Sequence, residues 1–425
     1  MSAECTRYNV GTYLRHSVCP SMNPASDICV IGNGIIGKVA ALGLAQAGLS
    51  VTLLTPPATQ AAGAPAGWDV RVYALNQVAH ALLSSLRVWD ALDAARITPV
   101  DSMVVNGDGP QAGGRLAFDA YSAHAGVLAW IVEDSNLNAA LDAALRFSHN
   151  LKVVSARAVR LEQDASQAVV HLDNGETLSA ALVVGADGAQ SWVRAQCDIG
   201  IDFRPYGQRA VVANFSTELP HHGAAHQWFT SSDGIIALLP LPGKQVSLVW
   251  SAPDALADTL MQESLAQLAG RLSALPRQPL GKLAPLQPES VKAVPLALIR
   301  PHAIIAQRVA LVGDAAHVVH PLAGHGMNLG FADVTTLLQV LAERGVERDC
   351  GDARVLRRYS RARKEDILLM QVATDGLERL FAADFEPLRV ARNLGMNLLD
   401  QMPVLKRRLM SHAMGNPLAP TVKKG

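Results

Sequence analysis

The chain has no surplus of either charge. Lys+Arg and Asp+Glu number 37 each in 425 residues, for a net charge of +0. The global basic excess that marks a nucleic-acid binder is therefore absent, and no nucleic-acid partner is expected. Charged residues make up only 17% and hydrophobic residues 49%, which is too apolar a mixture for a disordered polypeptide. Long apolar runs are missing as well. The most apolar stretch, Ile28 to Leu54, is cut by Gly, Asn, Lys and Gln, short of the roughly 18 uninterrupted apolar residues of a membrane helix. Cysteines are few, scattered and odd in number: Cys5, Cys19, Cys29, Cys197 and Cys350, with no CxxC spacing. That argues against a disulfide framework and against a zinc site, and it fits a reducing compartment. What remains is a globular chain with the length of two or three domains.

Residues 1–26 stand apart, with Arg7, Arg15, several Ser and Thr and a single acid, Glu4. They lack the apolar core of a secretory signal and are expected to be disordered. They read as sequence upstream of a start at Met22, or as a transit segment. From Asp27 to Leu54 the pattern is βαβ: the strand ICVIG, a helix with Val39, Leu42, Leu44 and Ala45 inward, a stop at Gly48, and the strand LSVTLL. Residues 56–67 read as a loop, 74–95 as helical, 100–130 as short antiparallel strands and 136–145 as a helix. Strands follow to Gly185. From about Asp202 to Val294 alternating apolar residues and Gly or Pro turns predict a half-exposed antiparallel sheet. VALVGDAAH then returns to a buried strand, and the chain is helical from Asp333 to about His412. There is no internal repeat.

Three glycine-containing motifs carry the chemistry. Gly32-Asn33-Gly34-Ile35-Ile36-Gly37 follows a strand and opens a helix. In this pattern Gly32 allows a tight turn, Gly34 lets a pyrophosphate approach the backbone, and Gly37 lets helix and strand pack closely. The free N–H groups of the helix start supply donors for the phosphates. Thr55 stands where such folds usually place an acid for the ribose. The second motif is Gly185-Ala186-Asp187-Gly188 with Ser191 and Arg194. The third is Gly313-Asp314-Ala315-Ala316-His317 followed by His320-Pro321-Leu322-Ala323-Gly324-His325-Gly326-Met327-Asn328. Asp314 sits just past a buried strand, placed to accept bonds from a polyol; a helix cap is the alternative reading of it alone.

Together the three motifs resemble those of single-component flavin-dependent aromatic hydroxylases. More narrowly, the chain is similar to the ubiquinone-biosynthesis hydroxylases. This likeness rests on Asp69-Val70-Arg71, Ile131-Val132-Glu133, Tyr206-Gly207-Gln208, Leu239-Pro240-Leu241, Val249-Trp250-Ser251, the run from His320 to Asn328 and Asp375-Gly376-Leu377. It covers about residues 27–415. The resemblance implies an α/β fold like that of para-hydroxybenzoate hydroxylase, with a Rossmann-like FAD-binding domain (27–99, 125–201 and 297–345), an antiparallel substrate sheet (100–124 and 202–296) and a helical C-terminal region (346–425).

It also implies FAD against Gly32, Gly34, Gly37, Arg71, Asp187, Asp314, Gly324, Gly326, Met327 and Asn328, with Asp314 on the ribityl chain and the backbone of Met327 and Asn328 at the ring edge. NAD(P)H would serve as transient reductant, O2 as co-substrate and a polyprenylated phenol as substrate. Pro321 would place its carbonyl near the reacting flavin carbon. His325 stands where close relatives tend to carry Gln, and Asp134 where they carry Arg, Gln or Asn. His320 and His325 are candidates for tuning protons, against a plain structural role; His317 is read as structural. His226, Trp228, Leu239 and Pro240 are candidates to line the substrate pocket, against ordinary sheet packing. The stretch 388–410 reads as a helical cap, with membrane or partner docking as the alternative. A cytoplasmic location, at the face of the inner membrane or away from it, a biosynthetic complex and a homo-oligomer are all compatible with the resemblance. A hydroxylase of a small soluble phenol, a reductase of prenyl double bonds and a non-catalytic flavin-fold subunit are the rival readings.

Overall fold

The βαβ unit forms where the sequence places it. β1 (Ser26–Ile31) lies parallel to β2 (Val51–Thr55), with α1 (Ile35–Gln46) crossing between them. Val39, Leu42 and Leu44 of α1 are buried against the sheet, and Gly48 closes the helix with φ 88°, the left-handed conformation that glycine adopts without strain. The structure is a computed structural model and describes residues 26–57, 67–108, 113–122, 126–286, 290–321, 324–382, 385–402 and 406. Residues 1–25 and most of the 56–67 loop lie outside the described residues.

The segment expected to be helical over 74–95 is instead a strand, a short helix and two 3-10 turns. β3 (Val72–Leu75) precedes α2 (Gln77–Ser85), whose first turn is capped by the Asn76 side chain. The helix cannot continue because Arg87 takes φ 58°, and Asp93 then caps the second 3-10 turn. β4 (Ile97–Val100), β5 (Ser102–Gly107), β6 (Arg115–Asp119) and β7 (Ala129–Glu133) follow. β3, β7 and β4 make a small antiparallel sheet. α3 (Asp134–Arg146) leads to β8 (Leu151–Ser155), parallel to β2. β9 (Ala158–Gln163), β10 (Ala168–Leu172) and β11 (Thr177–Gly185) form a meander that brings β11 parallel to β1.

After α4 (Trp192–Gln196) the chain enters a second large sheet. It is built from β12 (Ile201–Thr217), β13 (Ala224–Thr230), β14 (Gly234–Leu241), β15 (Gln245–Pro253), then β16 (Leu283–Pro285) and β17 (Val291–Pro301), with β5 and β6 joined at the β13 edge. Two helices interrupt this stretch where the sequence pattern predicts strands: α5 (Asp254–Gln262) and α6 (Leu265–Ser273). They cover one face of the sheet, burying Val211, Phe215, Trp228, Leu238, Leu248 and Trp250. β18 (Ile305–Ala306) and β19 (Val309–Leu311) return to the first sheet, β19 parallel to β11. α7 (His325–Ala342), α8 (Ala353–Ala382) and α9 (Glu386–Asp400) complete the chain. This is the expected combination of a Rossmann-like domain, an antiparallel sheet and a helical C-terminal region.

Candidate FAD and substrate site

The three motifs converge because their strands are neighbours in one parallel sheet. Ile31 pairs with Gly185, and Gly185 pairs with Leu311, so all three turns leave the same carboxyl edge, where such sheets hold their ligands. Ala186 N–H donates to the Ile31 carbonyl at 2.8 Å and Val312 N–H to the Gly185 carbonyl at 2.9 Å. Each glycine of the first motif has its own reason. Gly32 has φ 130°, and a Cβ there would lie 2.2 Å from the Ala186 carbonyl oxygen. A Cβ on Gly37 would lie 2.2 Å from the Gly32 carbonyl oxygen. Gly34 is exposed and meets nothing within 4 Å. Gly34 opens α1 without a side-chain cap and without an acid in the first turn. The first N–H groups of α1 therefore face open space, ready for an anion.

Asp314 opens into the same cleft and accepts no hydrogen bond from a described residue. The surrounding protein mass pushes its pKa up, against the pull of His317 and Arg71. A carboxylate left without a partner beside exposed helix N–H groups suits a ligand carrying both hydroxyls and phosphates. The residues present fit FAD on these grounds. The turn that carries Asp314 is pinned from below. Asp333 accepts from the Gly313 N–H at 2.9 Å, bonds His317 Nε2 at 2.6 Å and accepts from Arg363 Nε at 2.7 Å. His317 and Asp333 are completely buried, so His317 is a structural residue, as expected.

The other candidates named from the sequence fall into place differently. Asp187 accepts from Ser191 Oγ at 2.6 Å and from the Val193 N–H at 3.0 Å, so within the protein it braces Ser191, the N-cap of α4. Arg194 is buried and ties the second motif to the third by donating to the Ala315 carbonyl at 3.0 Å. Arg71 lies 3.9 Å from Asp134 and over the Tyr73 ring, with most of its side chain exposed. Asp134 does not face the site as a bare acid: Tyr73 Oη donates to it at 2.6 Å and Asn138 Nδ2 at 3.1 Å. Thr55 is buried at the end of β2, its hydroxyl directed to the Val154 carbonyl at 3.5 Å.

Gly324 starts α7 in the left-handed region at φ 70°, without a side-chain cap, so the N–H groups of the first turn through His325, Gly326 and Met327 are unpaired within the helix. Asn328 uses its side chain, not only its backbone. Its Nδ2 donates to the Ala74 carbonyl at 2.8 Å and its Oδ1 accepts from the Asn76 N–H at 3.0 Å. The Pro321 carbonyl accepts from the Gly324 N–H at 3.1 Å, closing the turn before α7. Leu322 and Ala323 lie outside the described residues. Burial pushes both His320 and His325 down to about 4, so both are neutral at pH 7.

Of the four pocket candidates, one is on the cleft side of the second sheet. Side chains alternate along a strand, and Asn214 marks the cleft face, since its Nδ2 donates to the Asp69 carbonyl at 2.9 Å. Leu239 shares that face, packed with Val72, Ala74 and Ile131. Trp228 belongs to the opposite face, under α5 and α6, with its Nε1–H on the Pro276 carbonyl at 2.9 Å. His226 and Pro240 pair with Leu238 and Val246 of that face, so they too point away from the cleft. Sequence reasoning missed Asn214 and named Glu133 only within a family motif; Glu133 is buried and holds the Asp69 N–H at 2.6 Å and Arg96 Nη2 at 2.9 Å. Among the described residues no group of His, Cys, Asp or Glu could hold a metal ion.

Known proteins are similar to this chain in sequence and in fold. The sequence pattern of the FAD binding domain family matches residues 25–370. The ubiquinone hydroxylase UbiL of Rhodospirillum rubrum is 34% identical over 414 residues, covering 96% of this chain and 95% of that protein. The 3-demethoxyubiquinol 3-hydroxylase of Escherichia coli is 34% identical over 92% of this chain and 99% of its own length. In three dimensions, the p-nitrophenol 4-monooxygenase PnpA of Pseudomonas putida superposes with a TM-score of 0.75 at 18% identity, over 94% of this chain and 100% of that one. That likeness speaks for the fold. A carboxyl-edge site built from three glycine turns, and a family pattern that spans it, lead to one statement: this chain belongs to the FAD binding domain family.

Proposed function

We propose that this chain is an FAD-dependent monooxygenase that uses NAD(P)H and O2 to hydroxylate the aromatic ring of a polyprenylated phenol in ubiquinone biosynthesis. The observation that carries the substrate class is the cleft face of the second sheet. Ala237, Leu239 and Val249 line it, and Leu116, Phe229 and Ile235 extend it to Phe381 and Met396 of the C-terminal helices. No Arg or Lys stands at the alternate positions of β12 to β15 that share this face from Ala210 onward. A small carboxylated phenol calls for a buried cation there; a prenylated ring calls for apolar wall. When bound, reduced FAD supplies activated oxygen to the ring. The protein's part is to hold phosphates at α1, to seat the polyol at Asp314, and to keep water out of an apolar cleft. Expression in bacterial strains each lacking one ring hydroxylase is expected to restore quinone, read by mass spectrometry of extracted lipids. FAD-loaded protein that restores none of them would transfer the reading to a soluble phenol.

The same reading includes contact with a membrane surface, from which a prenylated substrate is drawn. It is supported by α9, whose amphipathicity is inverted. Its polar residues face the protein: Arg392 donates to Asp108, Asn397 accepts from the Arg115 N–H at 2.8 Å and Asp400 from the Ala117 N–H at 3.0 Å. Val390, Leu394 and Leu398, at four-residue spacing, are 60%, 69% and 60% exposed. Leu368, Leu369 and Val372 of α8 are exposed too, and Arg354, Arg357, Arg361 and Lys364 precede them on exposed positions of the same helix. An apolar face beside exposed cations suits an anionic bilayer surface. No helix among the described residues is long and apolar enough to cross a membrane. Flotation with anionic liposomes is expected to carry the protein upward, and Leu394→Asp with Leu398→Asp to leave it in the dense fraction. Equal flotation of both proteins removes the membrane reading.

A further inference from the structure

Arg71 is a mostly exposed cation on a firm mount. It stands just before β3, and its guanidinium makes no hydrogen bond to a described residue. Its Nε lies 3.9 Å from Asp134 Oδ1, and its guanidinium lies over the Tyr73 ring, 5.5 Å from the centroid. Asp134 opens α3, and its backbone N–H donates to the Arg71 carbonyl at 2.9 Å. The Asp134 carboxylate is held from two further sides. Tyr73 Oη donates to Oδ1 at 2.6 Å, and Asn138 Nδ2 donates to Oδ2 at 3.1 Å. Burial pushes the Tyr73 hydroxyl far above its ordinary range, so it keeps its proton and stays the donor. Asn138 in turn accepts from Lys38 Nζ at 2.8 Å. Lys38 is buried in the first turn of α1 and pairs with Asp142 at 2.6 Å.

This mount stands at the edge of the cofactor cleft. Lys38 ties α3 to the start of α1, whose first N–H groups are free for an anion. β3 lies against the start of α7: a Cβ on Gly324 would sit 3.2 Å from Ala74 Cβ. Arg71 is near enough to Asp314 to draw that carboxyl down. By charge alone, an acid beside a phosphate site opposes binding. The geometry gives Asp134 a different use. A carboxylate at Nε leaves the Nη donors of the guanidinium free, and these pair with phosphate oxygens in a two-pronged way.

Resting on the FAD reading above and not on the identity of the substrate, we propose that Asp134 is a positioning residue for the cofactor. It acts through Arg71, holding the guanidinium by Nε over the Tyr73 ring so that the Nη groups are presented to the FAD diphosphate. A free arginine side chain loses rotamer freedom when it binds; one already held at Nε loses less. The repulsion between the acid and the phosphates is outweighed by this ordering.

The sign of the effect tests it, by fluorescence titration of the flavin-free full chain with FAD and with riboflavin, which carries no phosphate. Asp134→Asn removes a negative charge and keeps an oxygen for Tyr73. It is expected to weaken FAD by about threefold to fivefold, the scale of one exposed ion pair, and to leave riboflavin within about twofold of wild type. In an Arg71→Gln background the same substitution is expected to leave FAD unchanged or to tighten it, because only the repulsion is left to remove. Tighter FAD binding by Asp134→Asn with Arg71 in place overturns the positioning role, since the acid then only repels. An equal loss of FAD in both backgrounds, or a riboflavin loss as large as that for FAD, overturns it too, since the acid then acts on the fold. A wild type that binds neither flavin sinks the FAD reading as well; failure confined to the variants overturns the positioning role alone.

Discussion

Asp333→Asn is expected to cost about 3–5 kcal/mol of stability, the usual result of removing one partner of a buried ion pair. Asp333 and Arg363 are both nearly inaccessible, on α7 and α8 respectively. Once the charge at 333 is gone, Arg363 keeps only Asp366, whose side chain is 65% exposed, and the Leu329 carbonyl. The buried guanidinium is then uncompensated. The effect has a pH signature. Burial alone would raise the Asp333 carboxyl, but His317 and Arg363 outweigh it and hold its pKa below the ordinary carboxylate value. A depressed folded pKa contributes stability that is fully present above the unfolded value near 3.9 and lost as pH falls through the folded value. Wild type therefore has an acid limb below about pH 4 that Asp333→Asn lacks. Urea unfolding at neutral pH and along an acid series measures both. Equal midpoints at neutral pH would show that the triad is not what pins the Gly313 turn. FAD affinity is expected to fall with stability, because the Gly313 N–H that orients Asp314 loses its carboxylate.

Why these features differ in legibility follows from their range. The three roles in the first glycine motif depend on residues within six positions and on the strand beside them, so spacing alone exposes them. The Asp333–Arg363 pair joins two helices thirty residues apart, and no local pattern announces it. The choice of sheet face is illegible for another reason. Both faces of β13 and β14 are buried, one under α5 and α6 and one over the cleft, so the alternation that normally labels inside and outside is lost. Trp228 and Leu239 look equally suited to a pocket until Asn214 identifies the cleft side. α5 and α6 lie hidden inside a stretch dominated by strands, although Ser264 and Gln267 form a capping box at the start of α6 that the sequence does display. In the sequence, Gln208 stands out only as part of a family motif. In the structure its amide lies between His320 and Glu378, on the loop before α7 and on α8, far from it in the chain.

Gly37→Ala and Gly34→Ala are expected to separate folding from cofactor binding within a single turn. At Gly37 the added methyl would sit 2.2 Å from the Gly32 carbonyl oxygen and 3.3 Å from Ala186 Cβ. Both neighbours are held by the strands beneath them, so α1 must move away from the sheet. A displacement of this kind in a packed core costs about 1–3 kcal/mol or more, and it tilts the helix N-terminus away from the phosphate position. Apoprotein stability and FAD affinity are both expected to fall. Gly34 has φ −74° and ψ 169°, ordinary extended backbone, and no atom lies within 4 Å of an added methyl. Alanine there is expected to leave the apoprotein as stable as wild type, or more stable by about 0.4–1 kcal/mol through the unfolded chain. The methyl instead occupies the space through which a pyrophosphate reaches the N–H groups of α1. FAD affinity is expected to fall by tenfold or more, about 1.4 kcal/mol or greater. Thermal unfolding of the flavin-free proteins and fluorescence titration with FAD give the two readouts independently. Wild-type FAD affinity in Gly34→Ala would mean that the open space above this glycine is not where the phosphates lie, and the cofactor would have to approach the carboxyl edge from the Asp314 side.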